Sequence, residues 1–352
     1  ESDNGKVGAI AVKALKTVTF SLPKIGLILY PGTTFVGELF VADIGIPKKL
    51  LDSHVVKQSI LNSEDIKSIM PERSQEAYKG SVGKVLVIAG SKGMTGAATL
   101  ASEAAMRSGA GMVMLAITES LHSIMETKLT EVITIPLKED DNILSYSCID
   151  EIKKIISSNN INSIIIGPGM GRNDGTLKVV RDVISMIDDI PMVIDADALY
   201  AINSDNSFLK NKTVISILTP HLGEFSNLIG IEIADIKEDI IFFAKQAAKD
   251  LNSVIVLKGP RSIVATPSGE IYINTNANEG MATAGSGDVL SGAIGSFLAQ
   301  GLEPYSAAVS GVFIHGFAGD IVACSSGKIG MIAGDIVNAI PSAIAKLDDK
   351  RS

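Results

Sequence analysis

The chain has 352 residues, a formal net charge of −8 and 46% apolar residues. That length suffices for a large core in one or two domains, and the acidic balance argues against a nucleic-acid partner, which favours a basic face. Cys148 and Cys324 are its only cysteines, too few and too far apart for a disulfide framework or a zinc knuckle, so both are expected as buried thiols in a reducing compartment.

The opening, Glu1-Ser2-Asp3-Asn4, has no charged start followed by an apolar run, so no signal peptide is expected and the cytoplasm is the expected location. The lack of an initial Met implies that residue 1 is not the natural start. Thr17-Val18-Thr19-Phe20 and Leu39-Phe40-Val41-Ala42-Asp43-Ile44 read as strands, with Pro23, Gly26, Pro31 and Gly32 as breakers. A few strands without a helix cannot bury a core, so residues 1–52 are expected to join another sheet. Residues 53–78 are polar and read as a linker.

From Lys79 a strand–helix alternation runs nearly to the end, which predicts an α/β domain over 79–352 with a mostly parallel sheet and helices on both faces. Strands are predicted at Lys84–Ala89, Met112–Ile117, Ser163–Ile166, Met192–Asp195, Val214–Leu218 and Val254–Leu257, and a small-residue helix at Ala97–Ser108. Mean hydropathy is +0.32, yet no stretch reaches the roughly 18 consecutive apolar residues of a membrane span. The nearest, Ala307–Ala323, contains Ser310, His315 and Asp320 and reads as a buried helix, with His315 as a satisfied core histidine. His54 and His122 carry no signal.

Each predicted strand ends in polar or Gly-rich residues, where open α/β sheets bind ligands. The strongest motif is Gly280-Met281-Ala282-Thr283-Ala284-Gly285-Ser286-Gly287-Asp288 before the apolar helix Val289–Leu298. Glycines ahead of a helix let backbone N–H groups approach an anion, assisted by the helix dipole. An Asp there would repel phosphate but suits a base that takes a proton from an attacking hydroxyl; the plainer alternative is a helix cap. Gly90-Ser91-Lys92-Gly93-Met94-Thr95-Gly96-Ala97 and Gly167-Pro168-Gly169-Met170-Gly171-Arg172 are further glycine loops, each explicable alone as a tight turn. Several such loops at one sheet edge point to a ligand cleft.

Asp195-Ala196-Asp197 places two carboxylates at a strand end, with helix capping expected for at least one. His221-Leu222-Gly223-Glu224 puts His221 and Glu224 on one helix face. One His and one Glu make a poor zinc site, whereas Glu224 suits a hard cation shared with phosphate and water. Lys258-Gly259-Pro260-Arg261-Ser262 offers cations beside exposed backbone, as a nucleotide phosphate would want.

Together, from Lys79 to Leu347, these motifs resemble the ribokinase-like superfamily and, within it, the NAD(P)H-hydrate dehydratases. The resemblance implies that Lys258, Gly259, Pro260, Arg261 and Ser262 hold an adenine nucleotide with Asn278, Glu279, Gly280, Met281, Ala282, Thr283, Ala284, Gly285, Ser286 and Gly287. It implies that Ala97, Gly171, His221 and Asp288 contact the hydrated nicotinamide nucleotide, with Asp288 as the catalytic base. The implied reaction is a lyase reaction: ADP and Mg²⁺ support dehydration of the S epimer of hydrated NADH or NADPH (NADHX, NADPHX), releasing AMP and phosphate. Kinases of the superfamily, like ATP-using dehydratases, usually carry Asn-Xaa-Xaa-Glu where this chain has His221-Leu222-Gly223-Glu224, and the His form resembles the ADP-using type. Glu279 stands where many relatives have Pro and adds a charge near the nucleotide.

Relatives assemble as homo-oligomers, often tetramers, so the resemblance implies the same here. Thr17–Phe20, Pro23-Lys24-Ile25-Gly26 and Asp43-Ile44-Gly45-Ile46-Pro47 resemble the tail of an NAD(P)H-hydrate epimerase domain without that family's upstream motifs. A fragment of a bifunctional metabolite-repair protein is therefore expected, without epimerase activity. The alternatives are a thiazole- or pyridoxal-kinase-type enzyme and a nucleotide-binding regulator; the complete Gly-Ser-Gly-Asp loop disfavours the regulator.

Overall fold

A computed structural model describes residues 1–51, 56–141, 143–203 and 206–348; His54 and the expected boundary between residues 52 and 53 lie outside them. In chain order the strands are β1 (Lys16–Phe20), β2 (Glu38–Ala42), β3 (Gln58–Ser59), β4 (Lys84–Ile88), β5 (Met112–Thr118), β6 (Ile133–Leu137), β7 (Glu139–Asp140) and β8 (Ile143–Leu144). Then come β9 (Ser163–Ile166), β10 (Met192–Ile194), β11 (Ile217–Leu218), β12 (Val254–Leu257), β13 (Ile263–Ala265) and β14 (Ile271–Ile273).

The core strands are short aliphatic runs without polar alternation, as expected where both faces of a sheet are covered. Alternate residues serve opposite faces. Val85, Val87, Ile165, Val193 and Val256 pack into one core layer with the helices Thr95–Arg107, Ser286–Ala299 and Pro304–Ser326. Leu86, Ile88, Ile164, Ile166 and Ile194 pack into the other with the helices Cys148–Asn159, Asp174–Met186 and Leu222–Ile229. The resulting ten-stranded sheet has the order β3-β14-β13-β12-β11-β10-β9-β4-β5-β6. It is parallel from β12 to β6, while β13 runs antiparallel to both its neighbours.

β4 sits between β5 and β9, so the chain leaves it in one direction and later builds the other half of the sheet from its opposite side. This reversal opens a crevice beyond the carboxyl ends of β4 and β9, where open α/β sheets place ligands. The helix Pro304–Ser326 is long and apolar enough to span a membrane, but 67% of its most apolar stretch is buried inside the protein. Its glycines allow close approach: a Cβ on Gly311 would stand 2.4 Å from the Ile294 side chain, and one on Gly319 would stand 2.3 Å from the Met281 sulfur. The buried-helix expectation holds.

Three expectations change. The stretch 53–78 is no free linker in its described part: β3 extends the large sheet beside β14, and the helix Ser63–Ile69, capped by Asn62, buries Ile66 in the main core. The strands of the first segment do not join that sheet. β1 and β2 pair in parallel only with each other, from Lys16↔Glu38 to Phe20↔Ala42, and the segment reaches the main core through Ile28 and Leu29. Cys148 is buried, which pushes its thiol up to about 12, but Cys324 is exposed.

Candidate active site

The glycine loops after β4 and β9 meet across the crevice. Gly90 donates its N–H to the Pro168 carbonyl at 2.8 Å, and the Ser91 hydroxyl donates to the Gly169 carbonyl at 2.8 Å. Gly167 has φ +123°, and a Cβ on it would lie 1.8 Å from the Asp195 carbonyl oxygen, so only glycine fits. A Cβ on Gly169 would stand 2.9 Å from the Ala97 Cβ. Ala97, in the first turn of Thr95–Arg107, therefore lies on the same rim as Gly171.

Asp195 and Asp197 leave β10 in opposite directions because Ala196 between them adopts φ +49°, a conformation that L-residues rarely hold. Asp195 is 1% exposed, accepting from Lys258 Nζ at 2.8 Å on one oxygen and from the Ser291 hydroxyl at 2.6 Å on the other. Asp197 accepts from the Gly171 N–H at 2.9 Å and from Arg172 Nε at 2.6 Å. Neither carboxylate caps the following helix, whose N-cap is Ala196 with no side-chain bond. The expected cap is replaced by two ties, one to each half of the crevice.

His221 and Glu224 form a reciprocal capping box. His221 Nδ1 accepts from the N–H groups of Gly223 and Glu224 at 3.0 and 3.1 Å, and Glu224 Oε2 accepts from the His221 N–H at 2.8 Å. Nδ1 is thereby the unprotonated ring nitrogen, and Nε2 carries the hydrogen. Lys258, at the end of β12, is held beside this turn by its N–H to the Pro220 carbonyl at 2.8 Å, and its Nζ reaches to 3.8 Å from Glu224 Oε2. Burial works against the Lys258 charge, but Asp195 and Glu224 outweigh it and hold the ammonium above its ordinary range.

The helix Ser286–Ala299 begins at Gly285, φ +88°, with no side-chain cap, so Asp288 does not play the capping role that was the alternative. A Cβ on Gly285 would stand 2.4 Å from Leu100, and one on Gly287 would stand 3.2 Å from Lys258 Nζ. The loop is packed too closely for side chains and brings Lys258 beside the first turn. Burial, and then the negative charge of Asp195, push the Asp288 carboxyl up to about 7, with Lys258 pulling the other way. A carboxyl poised there can accept a proton near neutral pH. Beneath it, His315 Nε2 lies 3.2 Å from the Ser286 hydroxyl, and burial lowers its pKa to about 4. It is the neutral core histidine expected.

The remaining nucleotide candidates lie in the β12–β13 turn and in the loop ahead of the helix Ser286–Ala299. Gly259, Pro260 and Ser262 lie in the β12–β13 turn, while Arg261 Nη1 donates to the Thr275 carbonyl. Asn278 accepts from the Gly280 N–H at 3.0 Å and donates to Asp320 at 2.9 Å. Glu279 pairs with Lys328 at 3.0 Å on the surface, so its negative charge is locally offset. Glu279, Gly280, Ala282, Thr283, Lys328 and Met331 line an open cavity of about 600 Å³. Sequence reading missed the partners Ser291 and Arg172 and the pairing of Lys258 with Asp195.

Among the described residues no group of three or more His, Cys, Asp or Glu side chains converges as a metal cage. Both Asp195 oxygens are taken, and Glu224 Oε2 is engaged. Glu224 Oε1 lies 3.4 Å from His221 Nε2. This donor set forms no protein cage and suits a magnesium ion carried by nucleotide phosphates and water.

A mostly parallel sheet with an antiparallel strand at β13, and a glycine loop leading into a buried helix beside it, is the ribokinase-like fold. The profile of the NAD(P)H-hydrate dehydratases matches residues 85–342. The chain belongs to that family. It is 39% identical over 351 residues to the bifunctional NAD(P)H-hydrate repair enzyme Nnr of Moorella thermoacetica, covering 99% of this chain and 66% of that protein. The chain thus spans just under two thirds of that relative's length. It is 33% identical over 274 residues to the ADP-dependent (S)-NAD(P)H-hydrate dehydratase of Neisseria meningitidis, covering 77% of this chain and 88% of that one. The crystal structure of the ADP/ATP-dependent NAD(P)H-hydrate dehydratase of Bacillus subtilis, obtained with ATP and Mg²⁺, superposes with a TM-score of 0.70 at 26% identity. That superposition covers 82% of this chain and 98% of that one.

Proposed function

We propose that this chain dehydrates the S epimer of NADHX and NADPHX at the expense of ADP, giving the reduced dinucleotide, AMP and phosphate. The observation that carries the reading is Asp288: a half-buried carboxyl in the first turn of the helix that follows a glycine loop, with its pKa raised to about 7. Asp288 takes the proton of the ring hydroxyl as the hydroxyl oxygen bonds to the terminal phosphorus of ADP, and AMP leaves. The carbon–oxygen bond then breaks, phosphate departs, and loss of the neighbouring ring proton restores the double bond. The N–H groups of Gly285 and Gly287 would receive the transferring phosphate. Lys258, fixed by Asp195, supplies positive charge beside them. Magnesium, when bound through the nucleotide, offsets the charge of its phosphates.

Ala97, Gly171 and His221 would hold the dinucleotide, and Lys258–Ser262 with Asn278–Gly287 the ADP. Residues 1–52 correspond in this reading to the tail of the epimerase part of the bifunctional relatives, the enzyme acts in the cytoplasm, and its subunits assemble as a homotetramer. The test is recovery of reduced-nicotinamide absorbance from purified NADHX with ADP or ATP and Mg²⁺. Recovery with ADP and little with ATP is expected. Recovery with ATP alone would overturn the nucleotide preference, and none with either, by a folded chain that binds nucleotide, would overturn the reaction.

A further inference from the structure

The crevice is strongly acidic, yet a dinucleotide brings phosphates to it. Asp195, Asp197, Glu224 and Asp288 all lie close enough to influence one another or the same cations. An anionic substrate there needs a cation with unfilled hydrogen-bonding capacity. Lys258 is occupied by Asp195 and Glu224, and Arg261 donates to the Thr275 carbonyl. Arg172 differs from both.

Its Nε is fixed on Asp197 at 2.6 Å, and its guanidinium lies 3.7 Å from the centre of the Tyr200 ring. Tyr200 is tethered in turn, its hydroxyl accepting from Asn227 at 3.4 Å. One edge and one face of the guanidinium are therefore set, while among the described residues its terminal nitrogens have no hydrogen-bond partner. The side chain is 51% exposed, so those nitrogens remain open to a ligand. A planar fork held in this way matches two oxygens of a phosphate and loses little freedom on binding.

Position separates the substrate from the co-substrate. Arg172 follows β9, and its neighbour Gly171 shares the Asp197 carboxylate. The nucleotide candidate Lys258 instead follows β12, and its ammonium is tied to Asp195 rather than to Asp197. We propose that Arg172 binds a phosphate group of the dinucleotide substrate, a role that rests on the function proposed above. The phosphate is either the diphosphate bridge common to both hydrates or the 2′-phosphate found only in NADPHX.

The test compares wild type, Arg172→Met and Arg172→Lys. Affinity for NADPH and NADH is read by the fluorescence of the reduced nicotinamide, and KM and kcat are measured with both hydrates. Arg172→Lys keeps a cation for Asp197 and so guards against a variant that merely fails to fold. Arg172→Met is expected to weaken dinucleotide binding and raise KM about 10- to 100-fold with little change in kcat, and Arg172→Lys to fall between. Equal losses for NADH and NADPH identify the diphosphate, and a loss confined to NADPH identifies the 2′-phosphate. Unchanged affinity for both, an effect on ADP alone, or a fall in kcat at constant KM would overturn the assignment. Because binding is measured apart from turnover, a chain inactive on the hydrates that still binds dinucleotide through Arg172 would sink the proposed reaction and leave this inference standing.

Discussion

The β1–β2 ribbon and the carboxyl edge of the large sheet depart from ideal packing in opposite ways. The ribbon leaves apolar side chains in water: Val18 is 60% exposed and Phe20 58%. The sheet edge instead takes charge out of water, with Asp195 and Glu224 buried and Lys258 and Asp288 half-buried beside loops of glycine. Exposed apolar groups cost their own fold little, because removing them leaves no void. Buried charge depends on each partner, because a single deletion leaves another charge without one. The two regions should therefore answer very differently to substitution.

The largest effect belongs to Asp288→Asn. Removing a general base costs roughly a hundred- to ten-thousandfold, so turnover should fall by at least that while ADP binding persists, measured by initial rates and by calorimetric titration. Stability should move the other way. The folded Asp288 has its pKa raised from 3.8 to about 7, so its contribution is complete below pH 4 and lost as pH rises through 7. The Asn variant should therefore melt higher than wild type at pH 8, and the difference should vanish toward pH 4. An Asn variant that melts lower at pH 8 would remove the buried-charge half of the comparison.

Next comes Gly167→Ala. The added Cβ meets the Asp195 carbonyl oxygen at 1.8 Å, in a backbone conformation unsuited to alanine. A loss of about 3 kcal/mol is expected from strain and clash together, read from the urea midpoint, with activity falling as Asp195 shifts. A third, milder test leaves the chain unaltered. With Asp288 as the proposed base, it must be ionised to accept the proton, so kcat/KM should rise with pH through about 7 and level off above it. A flat profile from pH 5.5 to 8.5 would separate Asp288 from the rate-limiting proton transfer.

The sheet and its glycine edge were legible because their causes are local. Buried aliphatic runs such as Val85–Ile88 and Ile164–Ile166 predict doubly covered strands, and glycines before an apolar helix predict an anion loop. β11 was read as Val214–Leu218, but only Ile217 and Leu218 are assigned to the strand, because pairing with β10 and β12 involves no more. The Asp195–Lys258 pair had no local signal, since 63 residues separate its members. The same holds for Ser291 on Asp195, 96 residues apart. The His221–Glu224 spacing was visible, but it reads equally as a shared ligand face and as a capping box; only the backbone geometry chooses the cap.

The smallest effect is expected in the ribbon, where position decides between neighbours in one short segment. Ile28 is 9% exposed and packs into the core layer that also holds Ile255 and Ile271, whereas Phe20 projects from a strand with no sheet over it. Ile28→Ala should cost about 2 kcal/mol, at the low end for a core truncation because the site is near the surface. Phe20→Ser should stay within about 0.5 kcal/mol, as surface substitutions do, and should leave turnover unchanged. Equilibrium urea unfolding of both variants, with turnover measured alongside, checks the pair. If Phe20→Ser proves as costly as Ile28→Ala, Phe20 is covered in the assembled protein, and the ribbon belongs with the buried half of the molecule.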